Sequence, residues 1–399
     1  MSQADYPILQ LKRGEERRLR AGHLWVFSNE IDVARSPLGG FQPGDPVQVL
    51  DHAGKAMGSG YVNPGSLIAA RIVDRSGHAL DRSLVVHRLN VALALRERLH
   101  PEPFYRLCFG ESDGLPGLTV DRFGSVLVAQ ATTAGAERMK DAITEALAKV
   151  FRDATIVWKN DAGSRRLEGL EDYVEVAQGE LPERLRVREG GLDFDVDVRE
   201  GQKTGWFYDQ RANRDRLAPY VRGLKVLDVF SYVGAWGLRA AGFGAEAVTC
   251  VDVSARAVAA IGHNAALNGL DARVEAIEAD AFEFIKQARA ERRRWDVVIL
   301  DPPAFVKRKK DLKEGSLAYR RINEAGMQVL ARDGILVTAS CSHHMPRAGL
   351  MGGVQAGARH LDRFVQMVEP LSQSPDHPVH PAIPETDYLK GFVFRTTPA

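Results

Sequence analysis

Five apolar runs separated by helical stretches dominate the chain beyond Leu224: VLDVF (226–230), AVTCVD (247–252), RVEAIEAD (273–280), DVVILD (296–301) and GILVTAS (334–340). Near-continuous apolar strands that alternate with helices must be buried on both faces, which predicts a parallel α/β sheet covered by helices. Ligands of such sheets bind beyond the carboxyl ends of the strands. The residues that close each run are therefore the candidate site.

The first run leads into SYVGAWG, where Gly234 and Gly237 suit a close approach of backbone to ligand at a helix start. This is not the G-x-G-x-x-G of a dinucleotide fold. Asp252 closes the second run, near the roughly 20-residue separation from the first strand expected of an acid that binds ribose hydroxyls. Asp280, after the third run, is placed to meet an adenine amino group. A single Asp would be read as a helix N-cap. Three at consecutive strand ends, with Asp-Pro-Pro at the fourth, favour a ligand. Asp228 on the first strand and the missing dinucleotide glycines turn the expectation from NAD to S-adenosylmethionine. The cofactor side is read as Asp228, Ser231, Tyr232, Gly234, Asp252, Ser254, Asp280 and Ala281.

Asp301-Pro302-Pro303-Ala304-Phe305 follows the fourth run. Two prolines stiffen the loop, so Asp301 and Phe305 are held over the active edge, and the ring is suited to stacking on a flat base. The fifth run ends in Ser340-Cys341-Ser342-His343-His344. Cysteine is usually a buried, inert residue, and Cys108 and Cys250 are read that way. Cys341 instead closes a strand on the predicted catalytic edge. C5 of a pyrimidine becomes nucleophilic only after a thiolate adds to C6, and Cys341 fits that role, with His343 or a helix N-terminus to lower its pKa. Two other readings stay open from the residues: methylation of a base nitrogen without a thiol, and a non-catalytic RNA-binding assembly factor.

Upstream, the first 75 or so residues carry turn signals (Pro37, Gly39, Gly40, Pro43, Gly44, Gly54, Gly58, Pro64) between short apolar runs and predict a small β-rich module with strands at 47–51, 57–63 and 67–74. LDRSLVVHRLNVALALRERL (80–99) has helical spacing. From Phe104 to about Val198, VLVAQ, TIVWKN and LDFDVDV surround one predicted helix at 136–151, an α+β pattern. Lys plus Arg (53) nearly balances Asp plus Glu (52), so any nucleic-acid footprint must be local. Three scattered cysteines exclude a disulfide framework or finger-type metal cluster and suit a reducing cytoplasm. No apolar run predicts export or a membrane span.

Taken together, ESDGLPGLTVDRFG (111–124), GQKTGWFYDQRANR (201–214), VLDVFSYVGAWG, DPPAF, SCS, DHPV (376–379) and YLKGF (388–392) make the chain resemble the RlmI-type large-subunit ribosomal RNA cytosine-C5 methyltransferases over essentially its whole length. The resemblance implies an RNA-binding PUA domain (1–78), a central α+β domain (79–198) and a Rossmann-like class I methyltransferase domain (199–399), often in a homodimer. It implies S-adenosylmethionine as donor and a cytosine of 23S rRNA as acceptor. By position it makes Cys341 the nucleophile and Asp301 the acid on the base, and it puts Lys203, Thr204, Gly205 and Asp209 along the cofactor site. Ala304 stands where the family often has Lys, and SCSHHM replaces the commoner SCSGLM; both departures fall on the substrate side. Lys307, Arg308, Lys309 and Lys310 follow DPPAF and are expected beside the entrance, where phosphate would pass. Lys12, Arg13, Arg17, Arg18 and Arg20 are similar candidates in the first module.

Overall fold

All five apolar runs form strands of one sheet in the computed structural model, which describes residues 5–399. The chain divides into two compact units: residues 1–185, 197–208 and 375–386, and residues 186–196, 209–374 and 387–399.

The second unit holds a seven-stranded sheet. In chain order its strands and helices are β1 (Lys225–Val229), α1 (Ala235–Gly242), β2 (Ala247–Asp252), α2 (Ala255–Leu267), β3 (Val274–Glu278), α3 (Ala281–Ala290), β4 (Trp295–Leu300), α4 (Leu312–Val329), β5 (Leu330–Ser340), α5 (Arg347–His360), β6 (Arg363–Ser372) and β7 (Lys390–Pro398). The spatial order is β3-β2-β1-β4-β5-β7-β6. The first five strands pair in parallel, and β7 is antiparallel to both β5 and β6. Strand order reverses between β1 and β4, the switch point where a doubly wound sheet opens a crevice. Leu227, Val298, Leu300, Ile322, Met327, Leu336, Leu350 and Phe392 build the core between sheet and helices. Each such side chain contributes about 1.5–3 kcal/mol on burial.

Two local choices fix this packing. A side chain at Gly237 would put its Cβ 2.3 Å from Cys250 Sγ, so glycine lets α1 lie against β2. Gly237, expected to approach a ligand, instead serves helix–sheet contact. The strand read from GILVTAS starts earlier than expected, at Leu330. The segment missed from sequence contains Arg332 and Asp333, whose charge hides the strand pattern, and Asp333 pairs with Arg395 of β7 at 2.6 Å.

The first unit carries two five-stranded sheets. The N-terminal one is built from Ile8–Gln10, Trp25–Val26, Asp45–Leu50, Ala56–Val62 and Ala70–Asp74. It surrounds a core of Leu9, Val26, Val47, Val49 and Ile72, which Ile383 from the returning 375–386 segment completes. The other comprises Phe104–Phe109, Leu118–Phe123, Val126–Ala131, Thr155–Asn160 and Tyr173–Gln178, packed with the helix Arg82–Leu99. Asp376 of DHPV is buried here, accepting from Arg106 N at 2.9 Å while its carbonyl accepts from Arg96 Nη2 at 2.8 Å. The single helix expected over 136–151 is two, Ala134–Arg138 and Lys140–Val150, because Met139 leaves helical geometry (φ −87°, ψ 6°). LDFDVDV, grouped in sequence with the central segment, forms a hairpin with Leu185–Glu189 that, among the described residues, pairs with no other strand, and residues 186–196 fall in the second unit. Two asparagines of α2 hold it there: Asp193 N donates to Asn268 Oδ1 (2.9 Å) and Asp195 N to Asn264 Oδ1 (2.8 Å).

Candidate cofactor and acceptor site

At the switch point, the turn after β1 is forced into an unusual shape. Phe230 (φ 68°), Tyr232 (φ 51°) and Gly234 (φ 85°) all lie in the left-handed region. For the two aromatic residues this conformation costs on the order of 1–3 kcal/mol each, strain that tends to mark ligand sites. It is sustained by hydrogen bonds to neighbouring strands. Tyr232 N donates to Asp252 Oδ2 (2.9 Å), and Ser231 Oγ accepts from Val251 N (3.0 Å) while donating to Asp228 O (2.8 Å). Ser231 is thus buried in the turn's own scaffold.

Asp228 lies wholly inside. Its Oδ2 accepts from Gly237 N at 3.0 Å, in the first turn of α1, and among the described residues Oδ1 has no hydrogen-bond partner. Burial raises its pKa to about 7, countered by the Gly237 N–H and reinforced by the nearby carboxylates of Asp301 and Asp252. An orphaned buried carboxylate oxygen beside other acids suits a cationic ligand bearing donors, as S-adenosylmethionine is. Asp252 accepts from Ser254 N at 3.0 Å, and Ser254 caps α2. Asp280 caps α3 through Oδ1, accepting from Phe282 N (2.9 Å) and Glu283 N (3.1 Å), next to buried Ala281. The helix-cap role and an outward-facing carboxylate therefore coexist in Asp280, which remains exposed. Sequence reasoning missed two apolar side chains at these ends, Val253 (71% exposed) and Phe282 (40%). Both directly flank expected ligand residues and offer exposed apolar surface; their exposure, not their pattern, reveals them.

Lys203, Thr204 and Gly205 belong to the first unit. There Thr204 donates to Asp121 Oδ2 (2.5 Å), Lys203 Nζ sits 4.6 Å from the Phe207 ring centre, and Gly205 takes a φ of 103°. Asp209 belongs to the second, where it accepts from the Tyr388 hydroxyl.

On the acceptor side, Asp301 is held by two donors that sequence reasoning did not single out. Gln210 Nε2 and Trp236 Nε1 each reach Asp301 Oδ2 at 3.0 Å. Phe305 is half-buried, its ring 4.8 Å from that of Tyr319, so the face expected to meet a base is partly engaged with α4. The loop can lie that close because residue 315 is glycine: a Cβ there would stand 2.7 Å from Phe305 O. Lys307, Arg308, Lys309 and Lys310 are exposed, and Arg308 pairs with Asp311 at 3.1 Å.

Cys341 follows β5 and is partly exposed, whereas Cys108 and Cys250 are fully buried with thiols pushed well up by desolvation. Ser342 ties this segment to its surroundings. Its Oγ accepts from Val306 N at 3.1 Å and bonds the Tyr319 hydroxyl at 2.8 Å, while its carbonyl accepts from Lys390 Nζ at 2.7 Å. The Asp-Pro-Pro loop and the cysteine segment are thereby joined as one piece. His343 is exposed, its ring edge-on to His344 at 4.9 Å. Among the described residues no group of His, Cys, Asp and Glu side chains is arranged to hold a metal ion, and no helix is long and apolar enough to cross a membrane.

Comparison with known proteins adds to this geometry. Residues 9–75 match the family model of a PUA-like domain, and residues 157–395 that of an S-adenosylmethionine-dependent methyltransferase. The chain is 42% identical over 394 residues to ribosomal RNA large subunit methyltransferase I of Shewanella denitrificans, covering 97% of this chain and 98% of the relative. The protein of the same name from Aliivibrio fischeri is 39% identical over 396 residues, with the same coverage. A solved SAM-dependent methyltransferase from Streptococcus mutans has the same fold, with a TM-score of 0.82 at 22% identity over 98% of this chain and all (100%) of that one.

Proposed function

Because the chain belongs to the ribosomal RNA large subunit methyltransferase I family and carries an S-adenosylmethionine-dependent methyltransferase domain, we propose that it methylates C5 of a cytosine in 23S rRNA through a covalent adduct with Cys341. The reading assigns residues 1–78 to RNA binding, 79–198 to a central domain and 199–399 to catalysis. A cytoplasmic location and a homodimer come with the family resemblance.

One observation carries the chemistry: Cys341 and Asp301 close adjacent strands, β5 and β4, and their loops are bonded together through Ser342 and Val306. A thiol and a carboxylate on one sheet edge, beside the switch point, are what addition to a pyrimidine ring needs. S-adenosylmethionine would be held by Asp228, Asp252, Asp280 and the turn at Ser231, Tyr232 and Gly234, with Ser254 and Ala281 alongside, and would supply an electrophilic methyl group. On the enzyme side, the Cys341 thiolate forms an S–C6 bond and the ring's electrons move to N3, which takes a proton from the Asp301 carboxyl and returns it when the adduct collapses. C5 is then nucleophilic and would take the methyl group as its bond to the sulfonium sulfur breaks. A base removes the C5 proton, the C5–C6 double bond re-forms and the S–C6 bond breaks. Gln210 and Trp236 orient Asp301 by donating to one of its oxygens. The exposed run at Lys307, Arg308, Lys309 and Lys310 offers charge for phosphate beside the same loop, with Phe305 near the base.

Nucleoside mass spectrometry of 23S rRNA methylated by the purified protein tests this reading. Appearance of 5-methylcytidine is expected; a base-nitrogen methyl group as the sole product would replace it with the thiol-independent alternative.

A further inference from the structure

The residues around Cys341 include one buried cation that the reaction scheme above does not use. Lys390 opens β7 and pairs across the sheet with Ser340, the last residue of β5. Its side chain then runs forward, so that Nζ donates to the carbonyl of Ser342 at 2.7 Å. Cys341 lies between those two anchor points, and the lysine stem must pass alongside it. Lys390 is only 6% exposed, and lysine is almost never buried unless its charge is met. Among the described residues no carboxylate stands within ion-pair distance of Nζ, and its one hydrogen bond is to a neutral carbonyl.

We propose that Lys390 is a positioning residue whose ammonium group holds Cys341 as the thiolate, the cysteine anion joining the more distant carboxylate of Asp387 as countercharge to the buried lysine. The inference rests on the nucleophile reading of Cys341. In the step, the S–H bond breaks, its proton passes to water, and Lys390 keeps its own proton. The sequence pointed to His343 for this task, but that ring is exposed against His344, whereas Lys390 is enclosed.

The other charged and titratable groups facing this pair come from four elements. Asp387, just before β7, favours the ammonium, and so does Cys341 itself; Arg347 of α5 opposes it. Tyr319 of α4, its phenol raised mainly by burial, also senses the thiolate. His343 and His344 follow two and three residues beyond Cys341 in the chain. Burial brings Lys390 down to about 8, so it remains charged through neutral pH. A desolvated ammonium is a stronger electrostatic partner than one in water.

Iodoacetamide alkylation of the intact protein tests the pairing without RNA or cofactor, because Cys108 and Cys250 are fully buried and peptide mapping assigns the label. In the wild type the rate should titrate below the ordinary thiol value of about 8.5. In Lys390→Met and Lys390→Gln the midpoint should rise by about one unit, a roughly tenfold slower reaction at neutral pH. Lys390→Arg should restore most of the wild-type profile. A wild-type midpoint at or above about 8.5 overturns the proposal even if the variants fail to fold, as do superimposable profiles for wild type and folded Lys390→Met. A lowered Cys341 midpoint in an enzyme that forms no RNA adduct would leave this pairing standing and refute the nucleophile reading instead.

Discussion

The two halves of the proposed site are built on different length scales. At the cofactor end, the acids are held mainly by groups close in sequence: Asp280 by Phe282 and Asp252 by Ser254, two residues on, and Asp228 by Gly237, nine on, with Tyr232 reaching Asp252 across 20 residues as the longest span. At the acceptor end, Asp301 is held by Gln210 and Trp236, 91 and 65 residues away, and the cysteine segment by Val306, Tyr319 and Lys390, at separations of 36, 23 and 48. A strand-end acid that caps the following turn comes nearly ready with its βα unit. A loop pair assembled from distant pieces exists only once the whole sheet has closed, so it depends on tertiary packing.

The contrast between the two ends should show most at Asp301. Asp301→Ala should lower turnover on rRNA by about a hundredfold or more, the usual scale for a group that manages a proton in the transition state. Its affinity for S-adenosylmethionine should change little, since Asp301 belongs to the acceptor half; parallel turnover assays and calorimetry read the two effects separately. Equal losses in both would mean that the halves are not distinct. At the other end, Asp252→Ala should weaken cofactor binding by about ten- to a hundredfold, the worth of charge-assisted hydrogen bonds, with turnover at saturating cofactor largely kept.

Smaller, and read in stability, is the pH effect of Asp228. Its pKa is raised from 3.8 in the exposed reference to about 7 in the folded chain. Both states are protonated below about pH 4; as pH rises toward 7 the unfolded chain ionises first, so stability is lost over that window. The ligand-free Asp228→Asn protein should therefore melt a few degrees above wild type at pH 8, with the difference closing toward pH 4. Thermal melts across that range check the sign, and a constant difference would show that Asp228 does not titrate there.

The same contrast explains what could be read from sequence. The five apolar runs have a strong pattern, and each strand end is marked by a residue whose type alone carries meaning, so the fold and its strand ends were legible. Cys341 and Asp301 were singled out because each closes a strand. Their supports were not: nothing near Lys390, Gln210 or Tyr319 in the chain points to the site, and YLKGF was recognised only as a matching stretch. Gly237 was placed on the right turn with the wrong partner, because only packing reveals that its missing Cβ makes room for Cys250. The hairpin at 185–196 went with its sequence neighbours because the asparagines that hold it lie some 70 residues on.

The central claim is that Cys341 bonds to the cytosine. Incubation of the protein with S-adenosylmethionine and 23S rRNA fragments containing 5-fluorocytidine, where fluorine blocks loss of the C5 substituent, should give a protein–RNA adduct stable in denaturant, mapped to Cys341 and missing from Cys341→Ala. Equal adduct formation by wild type and Cys341→Ala would contradict the account.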